Sequence, residues 1–202
     1  MHAMPVKDAR SEAVVFIDIV GSTNIMNTYG GYHFFSLFRF LEDIANRIFS
    51  THNCLFRKGL GDGFIAVFEN NEDAVLSSIE MLAELEAYNS GVKEKSKLEL
   101  RIGIDFGETN VGHDGDRIGI AVTAAKRIEG LLAESFSSLS VDKSLYPIKN
   151  RIFISYIVYN SIRKNSHIAC REIGWAELKG LEGVRYDIFL VDWKASWEKM
   201  GG

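Results

Sequence analysis

The first apolar run, Val14-Val15-Phe16-Ile17, is short and rich in β-branched side chains. That is the pattern of a buried strand. It leads into Asp18-Ile19-Val20-Gly21-Ser22-Thr23, where Gly permits a tight turn and Ser or Thr can cap a helix. Phe34, Leu37, Phe38, Leu41, Ile44, Ala45 and Ile48 recur at threes and fours, predicting an amphipathic helix over 34–49. Phe35 and Phe40 lie off that stripe and predict a second covered face, supplied by another subunit. Segments 55–58 and 64–68 read as two strands around the turn Gly59-Leu60-Gly61-Asp62-Gly63, a hairpin. Val75, Ile79, Leu82 and Leu85 mark a second strong helix over 70–89. A strand over 98–106 and a helix over 119–132 follow. Residues 133–150 are Ser-rich and poorly periodic, predicting a loop or inserted excursion. A short strand (152–154), a short helix (156–163) and a hairpin of 170–178 with 185–191 around Lys179-Gly180-Leu181-Glu182-Gly183 complete the chain.

The order opens β-α-β-β-α-β, the ferredoxin-like plan. The expected fold is therefore α+β: a mainly antiparallel sheet with helices on one face, extended by further C-terminal α and β elements. No repeat or break in composition divides the 202 residues, so one domain is expected over 1–202, with its core over 14–191.

Composition narrows the function. Thirteen Phe, seven Tyr and three Trp exclude disorder, and only two Pro exclude a collagen-like chain. A net charge of -4 argues against a nucleic-acid binder, while leaving room for a local basic pocket for a phosphorylated small molecule. Cys54 and Cys170 have no CxxC or His spacing. They predict buried thiols in a reducing cytosol, neither a disulfide framework nor a zinc site. The longest apolar runs, 14–17 and 152–159, fall far short of the roughly 20 residues that span a bilayer. The polar start over 1–10 lacks a signal-peptide core. Together these predict a cytoplasmic protein without a membrane partner.

Two carboxylates draw the eye. Asp18 ends the first strand and Asp62 sits in the turn of the hairpin expected beside it. Two close carboxylates repel unless a cation lies between them, and an oxygen-only donor set favours Mg2+, Mn2+ or Ca2+ over zinc. Taken by position alone, Asp18 serves equally well as a helix cap and Asp62 as a turn residue. Gly21, Ser22 and Thr23 follow at once. A helix starting there points free N–H groups outward, an anion site, or else forms an ordinary capping turn.

In order along the chain, five segments resemble the class III adenylate/guanylate cyclases: Phe16 to Thr23, Lys58-Gly59-Leu60-Gly61-Asp62-Gly63-Phe64, Arg101-Ile102-Gly103-Ile104-Asp105-Phe106-Gly107-Glu108, the helix with Ala124-Ala125-Lys126-Arg127-Ile128-Glu129, and Glu177-Leu178-Lys179-Gly180-Leu181. The resemblance implies conversion of a nucleoside triphosphate to a 3′,5′-cyclic monophosphate and pyrophosphate. It implies two divalent cations, Mg2+ or Mn2+, held by Asp18, Asp62 and the Ile19 carbonyl, one making the ribose 3′-hydroxyl more acidic and the other binding the triphosphate. It implies a head-to-tail homodimer with shared sites. Lys58 and Asp116 would read the base, Arg127 would meet the α-phosphate transition state, Lys179 the terminal phosphates, and Arg101 is a further phosphate candidate.

The chain departs from the family where an Asn normally orients the ribose, four residues before the Arg; here stands Thr123. No sensor or second catalytic domain is expected, so regulation would come from the dimer, a ligand or a separate protein. The Lys58/Asp116 pair resembles the adenine-selecting pattern and favours ATP. The small stand-alone chain and Thr123 also resemble the pyrimidine cyclases of Pycsar antiphage defence, which make cUMP or cCMP for a separate effector. A degenerate cyclase fold that only binds nucleotide is the reading from another class. Retention of both Asp and of Arg127 counts against it. A diguanylate cyclase would need a GG[D/E]EF turn, which Leu60-Gly61-Asp62-Gly63-Phe64 does not supply.

Overall fold

The computed structural model describes residues 9–202; the polar reading of 1–10 therefore falls largely outside the described residues. The chain begins with strand β1 (Ala9–Ile19), helix α1 (Ser22–Tyr29) and helix α2 (Gly31–Thr51). The hairpin β2 (Cys54–Gly59) and β3 (Gly63–Phe68), helix α3 (Asn71–Gly91) and strand β4 (Leu100–Val111) complete the opening unit. In the sheet these strands run β2-β3-β1-β4, every neighbouring pair antiparallel. That is the ferredoxin-like order, with β1 central as expected.

The remainder adds β5 (Arg117–Ile118), α4 (Ile120–Glu129), β6 (Ser138–Leu139), β7 (Arg151–Ser155), α5 (Tyr156–Ile162), β8 (Cys170–Glu177), β9 (Arg185–Val191) and α6 (Trp193–Lys199). Strand β7 joins β4 in parallel, and the sheet continues β7-β9-β8-β6. The β4-to-β7 connection contains α4, because parallel neighbours need a crossover.

Alternation along β1 shows how the layers form. Ala13, Val15, Ile17 and Ile19 join the large core with α2 and α3. Val14 and Phe16 face the other way, toward Ala121 and Ala125 of α4. Helices thus cover both faces, not one: α4 lies opposite the others. Strand β4 admits it through Gly103, where a Cβ would stand 2.2 Å from the Glu129 nitrogen and 2.5 Å from the Ala125 carbonyl oxygen. Backbone meets backbone there, and any side chain would push the helix off the sheet.

Three further differences have local causes. Phe40 is covered within the chain, its ring 4.1 Å from that of Tyr88 on α3, whereas Phe35 stays exposed. Segment 133–150 is more than a loop. It supplies edge strand β6 against β8 and packs Phe136, Leu139, Val141 and Tyr146 onto a second core with Phe153 and Ile188. Its apolar residues are spaced by short turns, so no period shows. Helix α6 was not anticipated, although Asp192 caps it by accepting from the Ala195 N–H and Trp193 and Trp197 recur at four. Cys54 and Cys170 are free and half-buried.

Candidate active site

Antiparallel pairing sets Asp18 opposite Gly63 on one side and opposite Arg101 on the other. The β2–β3 turn folds back so that the Asp62 carbonyl accepts from the Ile19 N–H at 3.0 Å. Both carboxylates therefore stand at one corner of the sheet. Ser22 Oγ donates to Asp62 Oδ2 at 3.4 Å. Gly21, not Ser22, occupies the N-cap of α1, in the left-handed region at φ 71°, and no side chain caps the helix. The first N–H groups of α1 are consequently open to an anion.

Asp18 already has a cationic partner. Arg101 Nη2 donates to Asp18 Oδ2 at 2.6 Å, and Arg101 Nε lies 3.1 Å from Glu129 Oε1. Lys126 Nζ reaches the other Glu129 oxygen at 3.1 Å and hangs over the Phe16 ring, 5.5 Å from its centroid. Glu129 is buried, and burial raises its pKa against the pull of Lys126 and Arg101. Arg101 is thus the counter-ion between Asp18 and Glu129. Among the described residues no cluster of three or more His, Cys, Asp or Glu side chains forms a metal cage. The donors Asp18, Asp62 and the Ile19 carbonyl are all oxygen, which suits a hard divalent ion.

Lys58 and Asp116 meet. Lys58 Nζ donates to Asp116 Oδ2 across the sheet edge, and this bond raises the Lys58 pKa. Asp116 ends a tight turn in which the Gly112 N–H bonds the Asp116 carbonyl at 2.7 Å and Asp114 Oδ1 accepts from the Asp116 N–H at 3.2 Å.

A third group lies at the C-terminal end of α4. Arg127 Nε donates to the Lys179 carbonyl at 3.1 Å, not to the neighbouring Glu129 or Glu134. The two residues border a cleft of about 490 Å3 shared with Lys126, Glu177 and Ser135. Thr123 stands one turn before Arg127 on α4, its Oγ1 3.4 Å from the Gly119 carbonyl. Among the described residues no hydrogen bond or ion pair joins the Lys58–Asp116 pair to the two aspartates, or Arg127 and Lys179 to either.

Sequence reasoning missed the buried charges behind these groups. Arg151 is almost wholly enclosed, donating to the Glu129 carbonyl at 2.9 Å, to the Pro147 carbonyl at 3.0 Å and to the Tyr146 hydroxyl at 2.6 Å. Glu12 is buried on β1 with Arg117 and Thr109. The available signal was a charge placed inside an otherwise apolar strand, as in Glu12 before Ala13-Val14.

The mixed sheet, with its ferredoxin-like opening unit and crossover helix, is the fold of a cyclase catalytic domain. Residues 4–130 match the family described as the adenylate and guanylate cyclase catalytic domain, and the chain belongs to that family. Over 113 residues it is 31% identical to the uncharacterized proteins Rv1319c of Mycobacterium tuberculosis and Mb1353c of Mycobacterium bovis, a match covering 52% of this chain and 20% of each relative. The matched part is thus about a fifth of the length of those relatives. Among solved structures, the adenylyl cyclase CyaB from P. aeruginosa superposes with a TM-score of 0.71 at 22% identity, covering 91% of this chain and 94% of its own. The catalytic core of a rhodopsin-guanylyl cyclase with converted specificity, in complex with ATPalphaS, gives 0.71 at 19% identity and covers 91% and 95%. Both likenesses are of fold. Among the described residues no helix is long and apolar enough to cross a membrane.

Proposed function

We propose that this chain is a nucleotidyl cyclase: the ribose 3′-oxygen of a nucleoside triphosphate attacks the α-phosphorus, the bond to the β-phosphate breaks, and pyrophosphate leaves with that electron pair. The observation that carries this reading is the corner where Asp18 and Asp62 stand beside the uncapped start of α1. Asp18, Asp62 and the Ile19 carbonyl would hold two Mg2+ or Mn2+ ions. When bound, such ions acidify the attacking hydroxyl and neutralise the phosphates.

The protein's own groups do the rest. The open N–H groups over Gly21, Ser22 and Thr23 hold phosphate oxygens. Arg127 places charge where it spreads over the phosphoryl oxygens in the transition state. Lys179, beside it, holds the terminal phosphates, with Arg101 in reserve behind Asp18. Thr123 offers a hydroxyl to the ribose in place of an amide. Lys58 donates to the base and Asp116 accepts from it, which suits the N1 and amino edge of adenine; ATP is the favoured substrate.

The family resemblance implies sites shared between two copies placed head to tail, so a second copy would complete each one. The exposed apolar Ile118 and Ile120 flank Gly119 between Asp116 and Thr123, and a dimer would cover them. The test is incubation with ATP, GTP, CTP and UTP separately, with Mn2+, reading cyclic products by mass. Cyclic AMP above the others is expected, and Asp62→Ala should abolish product with every triphosphate. Product from UTP or CTP alone would assign a pyrimidine cyclase. Full turnover in Asp62→Ala would place the site elsewhere.

A further inference from the structure

Resting on the assignment of Lys58 and Asp116 as the base-reading pair, we infer that the buried Glu12–Arg117–Thr109 cluster is the device that positions Asp116 and so sets base selectivity. The Asp116 side chain is fixed only weakly by its pairing with Lys58. Its carboxylate and the Lys58 ammonium are both open to solvent, at 33% and 48% side-chain exposure, and exposed pairs fix geometry weakly.

The next residue is held quite differently. Arg117 and Glu12 retain only 5% and 2% side-chain exposure. Arg117 Nε donates to Glu12 Oε2 at 2.7 Å and Nη2 to Oε1 at 3.1 Å, a two-pronged grip. Thr109 Oγ1 donates to the same carboxylate at 2.5 Å. Arg117 Nη1 also binds the Gly115 carbonyl inside the turn, and the guanidinium lies over the Phe56 ring, 5.3 Å from its centroid. Burial pushes the Glu12 pKa up, but the bonds from Arg117 and Thr109 and the Arg117 charge overcome it and leave it lowered. The carboxylate therefore stays ionised.

Phe56 and Lys58 share a face of β2, two residues apart. Arg117 thus touches both walls of the base pocket. It grips the Asp116 turn through Gly115, and it packs on the strand that carries Lys58. Glu12 anchors it to the central strand. Arg117 is a positioning residue, not a catalytic one.

Three variants test this, each assayed against the four triphosphates with melting followed in parallel. The Glu12→Leu/Arg117→Leu double variant removes both charges together, since apolar replacement of a whole buried pair tends to preserve folding whereas removal of one partner does not. It should melt near the wild type and keep kcat within about twofold. It should raise KM for the preferred triphosphate, and cut the preference over the others, by roughly tenfold each, the scale of one lost positioned hydrogen bond. Arg117→Lys keeps the charge but loses the fork, and should recover only part of the selectivity. Asp116→Asn should lose selectivity outright. A folded double variant with wild-type KM and selectivity, alongside an unselective Asp116→Asn, would overturn the positioning role alone. Unchanged selectivity in Asp116→Asn would overturn the base-reading assignment, and the positioning role with it.

Discussion

Asp105 is a carboxylate the proposed chemistry does not use. It lies on β4 facing the α4 layer, 3% exposed, with one oxygen that finds no partner. Burial lifts its pKa from 3.8 to about 6. The folded state therefore holds this proton where the unfolded chain has released it, and stability falls as pH rises through the window between the two values. The difference amounts to roughly 3 kcal/mol across that window. Asp105→Asn should be more stable than wild type at pH 7.5, and the gain should shrink as pH falls toward 4. Melting temperatures of the two proteins across that range check it; a constant offset would mean that Asp105 is ionised in both states or neither. Among the described residues no ion pair reaches Asp105, unlike Asp18 with its Arg101.

Among the elements, α4 depends most on a single position. Gly103 has no room for any side chain beneath Ala125 and Glu129. Gly103→Ala should cost at least about 2–3 kcal/mol through displaced backbone, seen as a melting temperature lowered by roughly 5–10 °C for a chain of this size. Unaltered melting would show that the helix yields freely. Helix α4 also shows what could be read in advance. A helix over 119–132 is legible in the sequence, and Thr123 and Arg127 on it are singled out by resemblance. That it lies across the sheet from α2 and α3 does not, because periodicity names the buried face of a helix but not the layer that buries it. The same limit applies to the charges. Asp18 and Asp62 announced themselves by ending elements, and Lys58 and Asp116 by resemblance. The Arg101–Glu129 link joins residues 28 positions apart in sequence, and Glu12–Arg117 joins residues 105 apart. Only the packing of α4 on β4, and the pairing of β4 with both β1 and β5, bring such partners together.

At the scale of the whole molecule, the proposed activity would be a property of two copies. Asp62 and Arg127 would serve different sites, each with the partner chain's complement. Asp62→Asn and Arg127→Ala should each be inactive as homodimers. Mixed and allowed to exchange, they should recover about a quarter of wild-type activity, since half the dimers are mixed and each holds one intact site. Recovery of none would mean that each chain works with its own residues. A chain that sediments as a monomer at full activity would say the same.

Helix α4 ends at Glu129, just before the segment over 133–150 that covers the second core. Arg151 closes that seam. Its guanidinium collects the carbonyls of Glu129 and Leu131 on one side and of Pro147 on the other. A chimera that grafts another cyclase's tail after this point would inherit the helix but forfeit its clasp. The last turn bearing Arg127 would be left with bare oxygens to hydrate.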